Sequence, residues 1–306
     1  MGRFYKDYAD FLSERFDGKM QKLTVNAGFS CPNRDGTLGR GGCAYCNNSS
    51  FSPDLAAGGS VTSQLEAGKR FFERKYPAMR YLAYFQSYTN THGDRGRLMD
   101  LYREALEVDR VEGLIIGTRP DCVSDELLSD LAAIGKPVIM EYGAESTHDE
   151  TLRRVNRCHT WAQTVDAVMR TSAAGLSVGL HFIMGLPGES RAMMMESVER
   201  AALLPVDTLK FHQLQVIRNT ALDRETVADE DGRLWFRGAE LKLFEPDEYV
   251  ELCAGIVDLL GRMNREIAIE RFTAQAPDGL LVAPRWGLKN YQFVNLLNNR
   301  LARREG

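Results

Sequence analysis

Pro137-Val138-Ile139-Met140-Glu141-Tyr142-Gly143 opens the stretch that decides the fold. It is an apolar run of strand length, bounded by residues that break strands. Thr147 and Glu150 follow in capping-box spacing ahead of Leu152 and Val155. Thr160 and Gln163 repeat that spacing ahead of Val165, Val168 and Met169, and Gly175 ends the helix. A second strand-type run, 177–184, comes next. Strand, helix, strand in that order implies parallel strands joined by a right-handed crossover. The alternation extends both ways, with strand-type runs at 23–27, 81–86, 113–118 and 208–214. Ser124 precedes a helical stripe of Leu127, Leu128, Leu131 and Ile134 that Gly135 stops, and Ser190 starts a helix bounded by Pro205. The chain is therefore expected to be an α/β protein with a parallel sheet, open or closed into a barrel.

Strand periodicity also assigns faces. Ile139, Glu141, Gly143 and Glu145 share one side of their strand; Gly179, His181, Ile183 and Gly185 share one side of the next; Lys210, His212 and Leu214 share one side of the last. Helix-covered surfaces are apolar, so the carboxylates and histidines belong on the lumen side near its mouth. His181, His212 and Glu145 are the candidates for contact with a substrate or cofactor. The plainer alternative for the histidines is a hydrogen-bonded place in the core, and for Glu141 and Glu145 a pairing with barrel lysine or arginine that holds strands together.

The 306 residues suffice for one α/β barrel or two smaller domains, and 44% hydrophobic with 26% charged residues is ordinary globular composition. No apolar run approaches the roughly 18 residues of a spanning helix. The opening Met1-Gly2-Arg3-Phe4-Tyr5-Lys6-Asp7 is charged and aromatic, so a cytoplasmic protein without a membrane association is expected. A net charge of −4 gives no general attraction for a polyanion. Arg153, Arg154 and Arg157, and Arg300, Arg303 and Arg304, are local clusters that fit either phosphate contacts or solvated helix faces. After about residue 220 the pattern is less regular: turn-rich at 227–238, then a helix at 246–263 and a short strand near 267–272.

Three of six cysteines fall in one loop, as Cys31-x11-Cys43-x2-Cys46, amid Gly36, Gly39, Gly41 and Gly42. Glycines let such a loop turn back so that thiolates converge. A disulfide framework does not suit a reducing compartment. Three thiolates suit iron–sulfur or zinc; an iron–sulfur cluster with three protein ligands keeps one iron open, whereas structural zinc needs a fourth ligand, which His159 or Cys122 would have to bring from afar. The loop follows the first strand, where parallel α/β folds build their sites. Tyr45, between the last two cysteines, then lies against the metal centre.

The residues around these cysteines resemble the radical S-adenosylmethionine (radical SAM) superfamily, in particular the YhcC/YtqA-type proteins related to the Elongator catalytic subunit. The resemblance is carried by Asn26-Ala27-Gly28-Phe29-Ser30-Cys31-Pro32-Asn33-Arg34-Asp35-Gly36-Thr37 and Gly41-Gly42-Cys43-Ala44-Tyr45-Cys46-Asn47. Gln86-Ser87-Tyr88-Thr89-Asn90-Thr91, Gly117-Thr118-Arg119-Pro120-Asp121, Glu141-Tyr142-Gly143, Asn156-Arg157, Gly185-Leu186-Pro187-Gly188-Glu189 and Lys210-Phe211-His212 add to it. It implies a partial (βα)6 TIM-like barrel over residues 1–220, including an N-terminal helix and the cluster loop, with a small C-terminal α/β extension, 221–306, packed on it. It also implies a [4Fe-4S] cluster on Cys31, Cys43 and Cys46, S-adenosylmethionine on the open iron, reductive cleavage to a 5′-deoxyadenosyl radical, and an electron donor of flavodoxin or ferredoxin type. Tyr45, Gln86, Thr118, Arg119, Glu145 and Arg157 become the cofactor-binding candidates, and Gly185 to Gly188 a tight turn beside the adenosyl group.

Three departures stand out. The Gly-Gly-Glu that many members carry after the second strand is replaced by Gln86, Thr89 and Asn90; Glu145 stands where Gln is common, and Cys158 where Gly is. The family context implies tRNA as partner, through the 5-carboxymethylaminomethyl side chain of a wobble uridine. Tyr84, Tyr88, Trp286 and Tyr291, with Arg285 and Lys289, are the candidates for base stacking and phosphate contact. A small metabolite or protein side chain as substrate is the alternative within the class, and a non-catalytic zinc or electron-transfer module the alternative outside it.

Overall fold

The computed structural model describes residues 4–47 and 59–305; residues 1–3 of the charged opening lie outside them. Six strands form at the six strand-type runs: Met20–Val25 (β1), Arg80–Phe85 (β2), Val111–Thr118 (β3), Val138–Glu145 (β4), Ser177–Met184 (β5) and Thr208–Gln213 (β6). Each pairs in parallel with the next. The expectation of six strands falls short by one. Ala268–Arg271, the short strand of the tail, joins the same sheet in parallel beside β6. Its place is fixed by long-range pairing: the Ala268 N–H donates to Asp207 O and the Ile269 N–H to Lys6 O.

Alternation along the strands separates two environments. Val25, Phe85, Ile116, Tyr142, Phe182 and Phe211 point outward and pack with helix residues such as Leu98, Tyr102, Leu128, Val168 and Val198. Burying side chains of this size contributes about 1.5–3 kcal/mol each. The inner face carries Leu82, Tyr84, Ile115, Ile139 and Ala268, against which Phe11 and Leu12 of helix Tyr8–Ser13 pack. That helix covers one end of the half-barrel, so the opposite end, where the strands finish, is the open one. The sheet curls far enough for side chains of its two edge strands to meet, with Lys22 Nζ 2.9 Å from Glu270.

Caps form at the signals whose two partners lie within one helical turn. Ser124 accepts from the Leu127 N–H, Ser190 accepts from Met193, and Thr160 and Gln163 form a reciprocal box. The box expected at Thr147 and Glu150 does not form. Helix Asp149–Arg154 is capped at His148 without a side-chain bond. Ser146 takes the His148 N–H instead, and the Thr147 hydroxyl is drawn 3.0 Å from buried Ser197. In the tail, helix Pro246–Met263 forms as read, while 227–241 holds three short antiparallel strands where only turns were expected. Arg304 pairs with Asp258 and Glu251, and Arg300 with Glu251, so two of the three terminal arginines are engaged in surface ion pairs. Among the described residues no helix is long and apolar enough to cross a membrane.

Candidate active site

The strand ends open onto a cavity of about 250 Å³. Cys31, Cys43 and Cys46 line one side of it; Tyr84, Glu141, His181, Lys210 and His212 line the floor; Gln86, Thr118, Arg119, Glu145 and Arg157 lie between. The three thiols and all the cofactor-binding candidates thus meet at one place.

The cysteine loop is held by its own polar residues. The short turn Pro32–Asp35 begins at Cys31, whose carbonyl accepts from the Arg34 and Asp35 N–H groups. Arg34 Nη2 donates to the Cys46 carbonyl at 2.7 Å. A side chain at Gly42, where φ is +80°, would meet that guanidinium at about 2.8 Å, so only glycine admits it. The Cys43 sulfur receives Asn33 Nδ2 and Arg157 Nη1, each at 3.6 Å. Such N–H···S contacts are one means by which a protein sets a cluster's potential. Burial, reinforced by the Cys43 thiol, pushes Cys46 up to about 11 against the opposing Arg34 charge. Loading with metal must therefore release protons.

Arg157 is buried and donates to the Gly143 carbonyl at 2.6 Å, with Glu145 at 3.7 Å. A Cβ on Gly143 would come within 2.5 Å of Glu145 and 2.7 Å of Arg157, so this glycine makes room for both. Glu145 lines the cavity on the same side of β4 as Glu141 and Gly143; the β4–β5 register shifts between Gly143 and Glu145, and φ at Glu145 is +67°. Arg119 is engaged by Asp121 at 2.8 Å and donates to the Arg157 carbonyl at 2.8 Å. It holds Arg157 in place as well as lining the cavity. Thr118 shares a hydroxyl contact of 2.6 Å with Thr91.

On the floor, His181 Nε2 lies 2.8 Å from Glu141, so one histidine candidate is tied to a carboxylate. Burial, with Lys210 adding to it, lowers the His181 pKa, and burial pushes His212 down to about 3. Both imidazoles are therefore neutral near pH 7. Lys22, Lys210 and Glu270 complete a buried ion cluster around Glu141. Lys22 and Glu270, with Arg271 and Gln275 beside the cavity, were not singled out from sequence. Only Lys22 left a trace, as a polar residue at an inward position of β1.

Other candidates disperse. Tyr84 sits on the floor with its hydroxyl 3.2 Å from Lys210, and Tyr88 is at the mouth. Trp286 packs among Tyr249 and Phe293, and Tyr291 is exposed on the outer surface, so the four aromatics form no stacking platform. The turn at Gly185 packs against Lys242 and Phe244, away from the cavity. His159 is buried against the Gly143 and Thr160 carbonyls, and its ring supplies no ligand to the cysteine loop.

Among the described residues, Glu141, His181 and Glu270 bring three ligand atoms mutually within 4.8 Å, on the floor. Beside the thiols, Tyr45 Oη and Arg157 Nε are buried without a hydrogen-bond partner among the described residues. Unpaired buried polar atoms on a cavity wall suit a polar cofactor.

Comparison with known proteins agrees. The family model described as "Radical SAM superfamily" matches residues 31–201, and a "Radical_SAM C-terminal domain" matches 206–303. The chain belongs to the radical SAM superfamily. Protein YhcC of Escherichia coli is 38% identical over 90% of this chain and 85% of its own length. A tRNA uridine(34) acetyltransferase of Methanocaldococcus infernus is 27% identical over 53% of this chain but only 29% of that protein. The solved structure of Methanocaldococcus infernus Elp3 superposes with a TM-score of 0.64 at 16% identity, covering 94% of this chain and 63% of that one, a likeness of fold. The chain is thus a YhcC-type member related to Elp3, in a superfamily whose cofactors are a [4Fe-4S] cluster and S-adenosylmethionine.

Proposed function

We propose that the protein is a radical SAM enzyme that cleaves S-adenosylmethionine reductively and modifies the side chain of a wobble uridine in tRNA, at the 5-carboxymethylaminomethyl group. The observation that supports it most is the lining of one cavity by Cys31, Cys43 and Cys46 together with strand-borne Glu141, His181 and His212. When bound, the cluster and S-adenosylmethionine supply one-electron cleavage of the C5′–S bond and a 5′-deoxyadenosyl radical that takes a hydrogen atom from substrate. Cys31, Cys43 and Cys46 are the ligands in this reading. Arg157 is poised for the methionyl carboxylate, held by Arg119 and flanked by Glu145. Tyr45 and Thr118 face the adenosine, and Gln86 stands where the amine would be met. His181 and His212, neutral and on the floor, face the substrate. The electron comes from a flavodoxin or ferredoxin.

The partial match to the tRNA uridine(34) acetyltransferase supports the tRNA assignment. The net charge of −4 and the pairing of Arg300 and Arg304 with acidic residues favour a small metabolite or a protein side chain as the second reading. Mass spectrometry of tRNA nucleosides from a deletion strain separates the two. Accumulation or loss of a 5-substituted wobble uridine is the expected result, and an unchanged profile eliminates the tRNA assignment.

Cys253 supplies an internal control. It is buried within helix Pro246–Met263, and burial raises its thiol pKa well above the usual value. Such a thiol is packing. Cys253→Ala should cost about 1 kcal/mol or slightly more in stability, read by thermal unfolding, and leave 5′-deoxyadenosine formation at wild-type rate.

A further inference from the structure

On the cavity floor four charged side chains balance one another and a fifth stands apart. Lys22 Nζ lies 2.9 Å from both Glu141 and Glu270; Lys210 Nζ lies 3.0 Å from Glu270 and 3.6 Å from Glu141. Two carboxylates thus face two ammonium groups, and the cluster satisfies its own charges. Arg271 stands outside it. Its side chain lines the cavity with Tyr84, Lys210, His212 and Gln275, yet among the described residues none forms an ion pair or hydrogen bond with it, and its Nε is fully buried. A guanidinium carries a fixed positive charge. An uncompensated charge there is unfavourable unless something arrives to meet it.

The backbone directs it there. Ile269 pairs with Leu209 and Arg271 with Lys210, so two residues of the last strand oppose one step of β6. This is a bulge, which re-aims a side chain. Regular alternation would send Arg271 outward, into the layer where Phe211 and Phe272 stack. Instead Glu270 and Arg271 both turn inward, the first into the ion cluster and the second to the cavity.

We infer that Arg271 anchors a carboxylate on the substrate, in the cavity that the cysteine loop also lines. One free guanidinium matches a monoanion, and its fork fits the two oxygens of a carboxylate. A phosphate dianion would bring two charges to one free cation. The inference rests on the proposed reading that substrate occupies this floor, and a carboxymethylaminomethyl uridine carries such a carboxylate at the end of its side chain.

The test uses the cluster-loaded protein with S-adenosylmethionine, under anaerobic conditions, in two arms. In equilibrium dialysis, 5-carboxymethylaminomethyluridine should bind at least 10-fold more tightly than 5-methylaminomethyluridine, which lacks the carboxylate. Arg271→Gln should erase that preference and Arg271→Lys should keep part of it. Because Arg271 has no protein partner, Arg271→Gln should unfold at no lower temperature than wild type. In the second arm, acetate or inorganic phosphate is used to protect Arg271 from phenylglyoxal, read by peptide mass spectrometry with exposed Arg97 as reference. Acetate should protect Arg271 at least 5-fold, and more than phosphate at equal concentration. Equal binding of the two nucleosides, or a preference that survives in Arg271→Gln, overturns the inference. So does better protection by phosphate, or none by acetate. If neither nucleoside binds, the wobble-uridine reading fails and the acetate arm alone decides Arg271.

Discussion

Cys43→Ala is expected to leave the protein unable to retain its cluster and to lower 5′-deoxyadenosine formation by at least about 100-fold, because even outer-shell partners of a metal site cost 10–100-fold when removed. Cys43 is the informative choice among the three. Its sulfur takes hydrogen bonds from Asn33 and from the buried Arg157, so it joins the loop to the residues beyond β4. Removing the thiol leaves Arg157 facing an empty space as well as depriving the metal of a ligand. Anaerobic reconstitution followed by iron and sulfide analysis, optical spectra, and dithionite-driven turnover of S-adenosylmethionine read both effects. Cys31→Ala and Cys46→Ala should behave alike, and Cys253→Ala should not. A wild-type protein that is colourless and holds zinc, or a Cys43→Ala variant with full cleavage activity, would remove the basis of the reading.

The residues that make the chemistry legible are local. Three cysteines in a glycine-rich loop, a strand before them and polar residues at inward positions of β4, β5 and β6 all lie close enough in sequence for spacing and periodicity to speak. Thr160 and Gln163 cap as read because both partners sit within one helical turn. Thr147 does not, since the distant Ser197 takes both its N–H and its hydroxyl, and a competitor on another helix is invisible from the local pattern. The seventh strand shows the same boundary from the other side. Its existence near 267–272 is legible from composition, but its docking beside β6 depends on pairing across the whole tail. The bulge that turns Glu270 and Arg271 inward follows from that pairing and leaves no mark in the sequence. Hence the thiols and the inward Glu141, His181, Lys210 and His212 are legible in the sequence, and the addition of Glu270 and Arg271 from the last strand is not.

That floor carries the largest effect expected on stability. Glu141 is 1% exposed and lies within 3.6 Å of three basic groups, Lys22, His181 and Lys210. Burial opposes its charge, but Lys210, Lys22 and His181 together hold its carboxyl well below the usual carboxylate range. Breaking a buried ion cluster by removing one partner typically costs about 3–5 kcal/mol, since the remaining charges stay desolvated. Glu141→Gln should therefore lower the thermal midpoint at pH 7 by on the order of 10 °C. Adding Lys210→Met leaves Lys22 opposite Glu270, a balanced pair, so the double variant should recover at least half of the loss. The pH dependence has a definite sign. A depressed carboxylate stabilises the fold fully above its unfolded pKa of about 4.3 and loses that contribution as pH falls toward the folded value. The buried neutral His181 and His212 act in the same direction at higher pH. Their folded pKa values are lowered, His212 to about 3, so their contribution is present above about 6.5 and declines as the medium is acidified. Wild type should accordingly lose stability in two overlapping stages below pH 6.5, the histidines first and Glu141 after them. Glu141→Gln should lack the second. A midpoint within 2 °C of wild type at pH 7, or an acid limb unchanged by the substitution, would mean that these groups do not form one cluster in solution.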